Sequence, residues 1–505
     1  MATTALDLPQ GTILGHPRGL ATLFMTEFFE RFTYYGMRAL LVLFLVAATT
    51  AANPGFGIDR EVAGAIYGLY TGAVYLFGLP GGWIADRLIG QRNAIFWGGV
   101  IIMLGNFILA IPASPAVFYV GLAVIVVGVG LLKPNISAIV GDLYEGQPGA
   151  RRDAGFSIFY MGINLGALVA PFVAGTIGEG WNWRGGFLCA GLFMGIGVIQ
   201  YKLTERYLGN AGIAPRNVDE AERRRGWRWV WIGALVIVAA ALSMFLGLIP
   251  VDVTTLARIF GTAMIAVAVA FFGYTLFFAH LSSVEKKRVL VIGVFFLCST
   301  VFWGGFEQQA TTFNLFAVDY TDRSLLGDLF PEGVHPASWY QSANPIAIVL
   351  FAPFFAWLWV ALGKRNLDPS APVKFGFGLI LLGVGFLVMV FAAELVIATG
   401  EDVAPTWLLL AYLLHTFGEL CLAPVGLSNI TKLAPARFAG QMMGTWFLGL
   451  ALGNLFAGLM GGHIGSLEAS EMPAELMRMV LIGGGAGLAM LVFSRPIRNW
   501  MGGIT

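Results

Sequence analysis

Fourteen apolar runs divide this chain, and each is long enough to cross the roughly 30 Å hydrocarbon core of a bilayer as a helix. They cover residues 20–48, 61–86, 94–112, 116–140, 154–177, 185–203, 229–249, 257–280, 289–313, 338–363, 375–397, 405–430, 440–463 and 475–495. A spanning segment must satisfy its own backbone groups, so runs of this length form helices. The expected fold class is therefore all-α and polytopic. Composition agrees, with only 12% of 505 residues charged against about a quarter in soluble domains. Mean hydropathy is +0.77, and the 67 glycines suit helices that pack closely inside a membrane.

The basic residues set the orientation. Alternate connections hold Arg87 and Arg92, Arg151 and Arg152, Arg206 with Arg223–Arg225 and Arg228, Lys286–Arg288, Lys364 and Arg365, Lys432 and Arg437, and Arg495 and Arg498. The opposite connections hold mostly single arginines, such as Arg60, Arg258 and Arg323. The positive-inside bias places both termini in the cytoplasm. Residues 1–19 contain no separate apolar core with a small-residue cleavage site, so the first span itself is expected to direct insertion.

A net charge of +1 offers no case for a nucleic-acid partner. Cys189, Cys298 and Cys421 lie singly in apolar runs and read as small packing residues. No spacing of His, Cys, Asp or Glu forms a metal set.

Runs seven and eight differ from the others. Between Trp229 and His280 the only charges are Asp252 and Arg258, and the preceding residues 206–228 are polar and rich in Arg and Glu. The expected organisation is a six-helix bundle over 1–205, a cytoplasmic linker over 206–228, an inserted two-helix hairpin over 229–288 and a second six-helix bundle over 289–505. Two six-helix halves are the usual plan of a secondary transporter.

Charge inside the spans is the functional signal. At 100° per residue, Glu27, Glu30, Arg31, Tyr34 and Arg38 share one narrow face of the first span, with Tyr35 at its edge. Each such charge costs roughly 2.5–3.5 kcal/mol at the bilayer centre, so the stripe must face protein or water. Lys133 lies deep in the fourth span beside Pro134, while Glu307 and Glu419 lie within the ninth and twelfth. Asn164 and Asn344 are intramembrane amides, equally able to serve as interhelical hydrogen-bond partners. His415, one turn before Glu419, is either a proton relay or a packing residue. The loop around Asp86, Arg87 and Arg92 reads either as a charge-paired gate or as topogenic charge. In total, four interior acids stand against three bases, and all three bases lie in the first half.

These residues resemble the proton-dependent oligopeptide transporters of the major facilitator superfamily. The resemblance rests on the first-span pattern Glu-x-x-Glu-Arg-Phe-x-Tyr-Tyr at Glu27–Tyr35 and on Lys133-Pro134-Asn135. It extends to Phe156–Gly166, Phe302–Gln308, Gln341–Pro345 and Glu419–Lys432. It implies a major facilitator fold with fourteen transmembrane helices and proton-driven import of di- and tripeptides across a bacterial cytoplasmic membrane. Arg31, Arg38 and Lys133 would attract the peptide carboxylate, and Glu419 with Asn164 and Asn344 would take its amine. Glu27, Glu30 and Glu307 would couple protons, with Glu307 pairing with Arg38 and Lys133 with Glu419 in alternate states. Tyr34, Tyr35, Tyr75, Trp303, Phe306 and Trp446 would line side-chain pockets, and Asp86, Arg87 and Arg92 would gate. The proton is the only cofactor expected, no catalytic set is expected, and a monomer embedded in lipid should suffice. Two departures stand out. Ala423 replaces a serine common in relatives, and the second span lacks the histidine that animal members use.

Three rival readings have different requirements. A nitrate-like anion carrier of the same fold needs no acid for an amine. A membrane-embedded lipid enzyme needs a nucleophile–base pair or a metal. A non-transporting peptide sensor would be expected to carry a signalling domain.

Overall fold

The computed structural model describes residues 11–503, apart from 214, 216–218, 246–251 and 331. Residues 1–10 of the expected cytoplasmic N terminus, residues 216–218 of the expected linker and the tip of the expected hairpin at 246–251 lie outside the described residues. A short ladder pairs β1 (Thr12–Ile13) with β2 (His16–Pro17). The other long elements among the described residues are helices. In the first part of the chain run α1 (Arg18–Val46), α2 (Arg60–Ile84), α3 (Gln91–Ala110), α4 (Pro115–Asp142), α5 (Gly149–Ala170), α6 (Thr176–Gly180) and α7 (Trp183–Thr204). Then come α8 (Glu220–Phe245), α9 (Val253–Phe277), α10 (Ser283–Phe306), α11 (Thr312–Tyr320) and α12 (Ala343–Lys364). Last are α13 (Ala371–Thr399), α14 (Thr406–Leu433), α15 (Ala439–Ser466), α16 (Met472–Val492) and α17 (Ser494–Trp500).

Among the described residues, twelve segments are long and apolar enough to cross a membrane. The other two expected spans coincide with α1, where Glu27, Glu30, Arg31 and Arg38 exceed the charge that standard allows, and with α8.

Helix ends follow local chemistry. Ser282 and Glu285 form a reciprocal capping box at α10, satisfying donors that the first turn leaves open. Asn182 accepts from the backbone N–H groups of Arg184 and Gly185 at α7. Pro115 opens α4 and Gly400 closes α13 in the left-handed region, as expected for those residues. The structure differs from the sequence reading at two boundaries. α8 begins at Glu220, inside the stretch read as linker, where an i,i+4 pair joins Glu220 to Arg224. The ninth span runs from Ser283 to Tyr320, past the expected end at 313, because the chain breaks at Thr311 and resumes as α11.

The chain forms two compact units, Met1–Leu40 with Ala73–Asp252, and Leu41–Gly72 with Val253–Thr505. In the first, α3 packs along α4 and α7. α1 turns its apolar face to α7, where Phe32 stacks on Phe193 at 3.9 Å and Thr33 Oγ1 lies 2.9 Å from the Ala190 carbonyl. The opposite face of α1 is left for charge. Residues 231–239 of α8 are exposed all round, which for Trp231, Leu235 and Val238 means contact with lipid.

In the second unit α13 packs on α14 and α16, and α10 packs on α15. Phe313, Phe386, Tyr412 and His415 form an aromatic centre. His415 is fully buried, stacks on Phe313 and reaches the Leu382 carbonyl at 3.1 Å through Nε2, so it is a packing residue. The first half of α2 lies against α15 so closely that a Cβ on Gly64 would stand 2.4 Å from the Gly458 carbonyl oxygen. Only hydrogen fits there. Arg60 pairs with Asp319 at the start of that contact, and Glu61 pairs with His463 at 3.0 Å.

Gly64→Val should therefore force α2 off α15 and lower stability by about 1–3 kcal/mol, the usual cost of overpacking. Gly233→Leu, with open space around its Cβ, should change it by less than about 0.5 kcal/mol. Thermal unfolding of both variants in detergent checks the pair.

Candidate functional site

The stripe on α1 is buried as the helical arithmetic requires. Glu27, Glu30 and Arg31 are 2%, 0% and 2% exposed. Arg31 holds both acids: its Nε and Nη2 form a fork on the Glu30 carboxylate, with Nη2 to Oε1 at 2.6 Å, and Nε also lies 3.3 Å from Glu27 Oε1. Two negative charges thus share one guanidinium. The cluster is acceptable in a low-dielectric interior only because every charge has a partner within contact. Arg31 stacks over the Tyr34 ring at 5.0 Å, and Arg38 over Tyr35 at 5.5 Å. Tyr34 and Tyr35 meet edge to face.

Lys133 reaches the same unit from α4. Its ammonium stands 4.8 Å from the centre of the Tyr75 ring on α2, a cation–π contact that offsets part of its desolvation. Local sequence explains the approach of the two helices. Pro134 has no N–H to offer the Gly130 carbonyl, and that carbonyl faces Gly81 of α2, where a Cβ would stand 1.9 Å away. Asn135 turns its amide to the Leu131 carbonyl at 2.6 Å. Asn164 on α5 is buried with Nδ2 donating to the Tyr160 carbonyl of its own helix at 3.0 Å.

The expected gate residues sit elsewhere in this unit. Asp86 and Arg87 lie in a π-helical turn, Ala85–Ile89, that ends at Gly90 with φ +81°. Arg87 pairs with Glu222 on α8. Arg92 donates from Nε to the Ala211 carbonyl at 2.7 Å and from Nη2 to the Gly209 carbonyl. These arginines therefore tie the end of α2 and the start of α3 to the segment that leads into α8.

In the second unit, Glu307 is buried at the point where α10 gives way to a 3₁₀ turn, Glu307–Ala310. Trp303 and Phe306 stand before it, 5.2 Å apart edge to face. The Trp303 Nε1–H is buried with no hydrogen-bond partner among the described residues. Glu419 on α14 accepts from Asn344 Nδ2 at 3.0 Å. Trp446 on α15 is buried beside Gly426, whose missing Cβ leaves room for the indole.

The structure thus draws Glu27, Glu30, Arg31, Tyr34, Tyr35 and Arg38 together on α1, joins Lys133 to Tyr75, and joins Asn344 to Glu419. Trp303, Phe306 and Glu307 cluster at one helix break. Asp86, Arg87 and Arg92 form a separate group. Sequence reading missed Thr416, which binds the Asn344 amide, and Asp319, which pairs with Arg60. Thr416 lies three residues before Glu419, one turn away on the same face, and that spacing was the available signal. Among the described residues no group of His, Cys, Asp or Glu could hold a metal ion.

A many-span helical protein with charged groups buried inside its spans has the plan of a secondary transporter. The sequence profile of the POT family matches residues 92–470, and the chain belongs to that family. It is 40% identical to the peptide transporter YePEPT of Yersinia enterocolitica over 99% of this chain and 98% of that protein. It is 36% identical to a di-/tripeptide transporter of Lactococcus lactis, over 99% of both chains. A crystal structure of a variant of the peptide transporter POT in complex with alafosfalin superposes with a TM-score of 0.89. That match covers 98% of each chain at 39% identity. The chain is accordingly a multi-pass membrane protein of a peptide-transporter family.

Replacing Arg31 by Met should strand two buried carboxylates. The expected loss is about 3–5 kcal/mol, as for removal of one partner from a buried ion pair, read as a lower melting temperature of the purified protein. Arg224→Met, in an exposed pair, should change stability by under about 1 kcal/mol.

Proposed function

We propose that the protein is a proton-coupled symporter that imports di- and tripeptides by alternating access across a bacterial cytoplasmic membrane. It acts as a monomer of fourteen spans with both termini in the cytoplasm. The observation that carries this reading is the division of charge inside the spans between the two units. The first unit supplies the cations Arg31, Arg38 and Lys133, whereas the second supplies the acceptors Glu419 and Asn344 and the acid Glu307. A zwitterionic peptide needs both kinds of partner, a cation for its carboxylate and a carboxylate with an amide for its ammonium. An anion carrier would gain nothing from Glu419 and Asn344.

Each group then has a role. Arg31, Arg38 and Lys133 take the carboxylate. Glu419 and Asn344 take the amine, with Asn164 as a further polar contact from α5. Tyr34, Tyr35, Tyr75, Trp303, Phe306 and Trp446 offer broad aromatic surface to side chains, which favours promiscuity over a single sequence. A chain of two or three residues extends at most about 7–11 Å, so two charged ends also gauge length. Glu307 carries the transported proton, while Glu27 and Glu30 tune the charge on Arg31. Asp86, Arg87 and Arg92 brace the cytoplasmic end, where Arg87 and Arg92 grip the segment leading into α8. A proton entering through a potential of 100 mV releases about 2.3 kcal/mol, enough to concentrate a neutral peptide about fiftyfold.

Reconstituted in liposomes, the protein should accumulate labelled dialanine when an inward proton gradient is imposed. Uptake indifferent to the gradient would overturn symport. Glu307→Gln should abolish gradient-driven accumulation and leave peptide exchange across the bilayer intact. Normal accumulation by that variant would remove Glu307 from the proton route.

A further inference from the structure

The Asn344 amide is held by two acceptors, and only one of them is the acid. Nδ2 lies 3.0 Å from Glu419 Oε2 and 2.9 Å from Thr416 Oγ1. Thr416 is fully buried on α14, and its single hydroxyl proton goes to the Tyr412 carbonyl one turn earlier, at 2.7 Å. A hydroxyl that has spent its proton on a carbonyl has only lone pairs left to offer. With the Thr416 proton on the Tyr412 carbonyl, whatever Asn344 turns toward Thr416 is a donor, which assigns the NH2 group to that side. With both N–H bonds engaged, Oδ1 is the end of the amide left to accept from a ligand.

We infer that Thr416 is a positioning residue for substrate recognition: it locks the Asn344 amide so that Oδ1 accepts the ammonium of a peptide. The inference rests on the peptide reading of this site and deepens it. Its value lies in what happens to Glu419 during a transport cycle. An ionised Glu419 orients the amide by itself, since a carboxylate only accepts. A protonated Glu419 both donates and accepts, so an amide held by Glu419 alone could turn over and present N–H to an ammonium. Thr416 removes that freedom, because its acceptor role is set by the α14 backbone and not by the protonation of any side chain. The orientation of Asn344 is thereby insulated from proton binding at its neighbour. Thr416 touches no substrate and acts through Asn344.

The test is equilibrium binding of dialanine to the purified full-length protein, with the Thr416→Val, Thr416→Ser and Asn344→Ala variants. Valine keeps the shape and loses the acceptor. Thr416→Val should weaken dialanine binding by about tenfold, the worth of one ordinary hydrogen bond, and Thr416→Ser should restore it to within about twofold. In the Asn344→Ala background, Thr416→Val should cost nothing further, because there is no amide left to orient. A merely structural role for Thr416 predicts the same loss in both backgrounds, and that result would overturn the inference, as would wild-type affinity in Thr416→Val. Should Thr416→Val not yield folded protein, Thr416→Ala against Thr416→Ser asks the same question, and equal affinities would again overturn it. Wild-type protein that fails to bind dialanine would instead defeat the peptide reading itself.

Discussion

Burying Glu27 and Glu30 on a helix inside a membrane is tolerable only because Arg31 lies between them and contacts both. An isolated carboxylate there would cost several kcal/mol, and two close together would repel. The shared guanidinium offsets half of that negative charge and contacts both acids, and it constrains the helices around it. α1 must keep that face away from lipid, so its other face is committed to α7 through the stacked pair Phe32–Phe193. The Thr33 hydroxyl, bonded to the Ala190 carbonyl, fixes the same interface. The position of the stripe therefore follows from charge on one side of the helix and close packing on the other.

The second unit solves the problem of buried polarity differently. Among its described residues Glu419 is held by a neutral amide that is itself held by a hydroxyl. A neutral network leaves the acid's charge available to a ligand, where a salt bridge would have consumed it. The contrast suits a protein whose task is to pick up a charged ligand and release it.

Much of this was legible in the residues because a bilayer punishes charge so heavily. Every ionisable group in a span had to be accounted for, which singled out Glu27, Glu30, Arg31, Arg38, Lys133, Glu307 and Glu419 without a structure. The same logic was blind to Thr416, since a threonine in an apolar run costs little, and only its spacing from Glu419 pointed to it. It was blind as well to Asp319, which lies on α11 beyond the expected end of the ninth span at 313 and pairs with Arg60. The helix break at Thr311 falls within the polar stretch Glu307–Thr312. His415 showed the converse: it stood out in the sequence, and the structure makes it an aromatic packing residue because Leu382 supplies the acceptor that a buried ring N–H requires.

The sequence by itself determined the helical membrane architecture and the faces that must be hidden, because hydropathy and backbone satisfaction in lipid depend on local composition alone. It also determined where proline frees a carbonyl. Only the tertiary structure decided which buried groups meet across helices: Arg60 with Asp319, Lys133 with Tyr75, and Asn344 with Thr416 as well as Glu419. Those pairings join residues tens to hundreds of positions apart. They depend on how closely neighbouring helices approach and on the rotation of each about its axis. Close contacts such as Gly81 on the Gly130 carbonyl set both, and no local pattern in the chain encodes them.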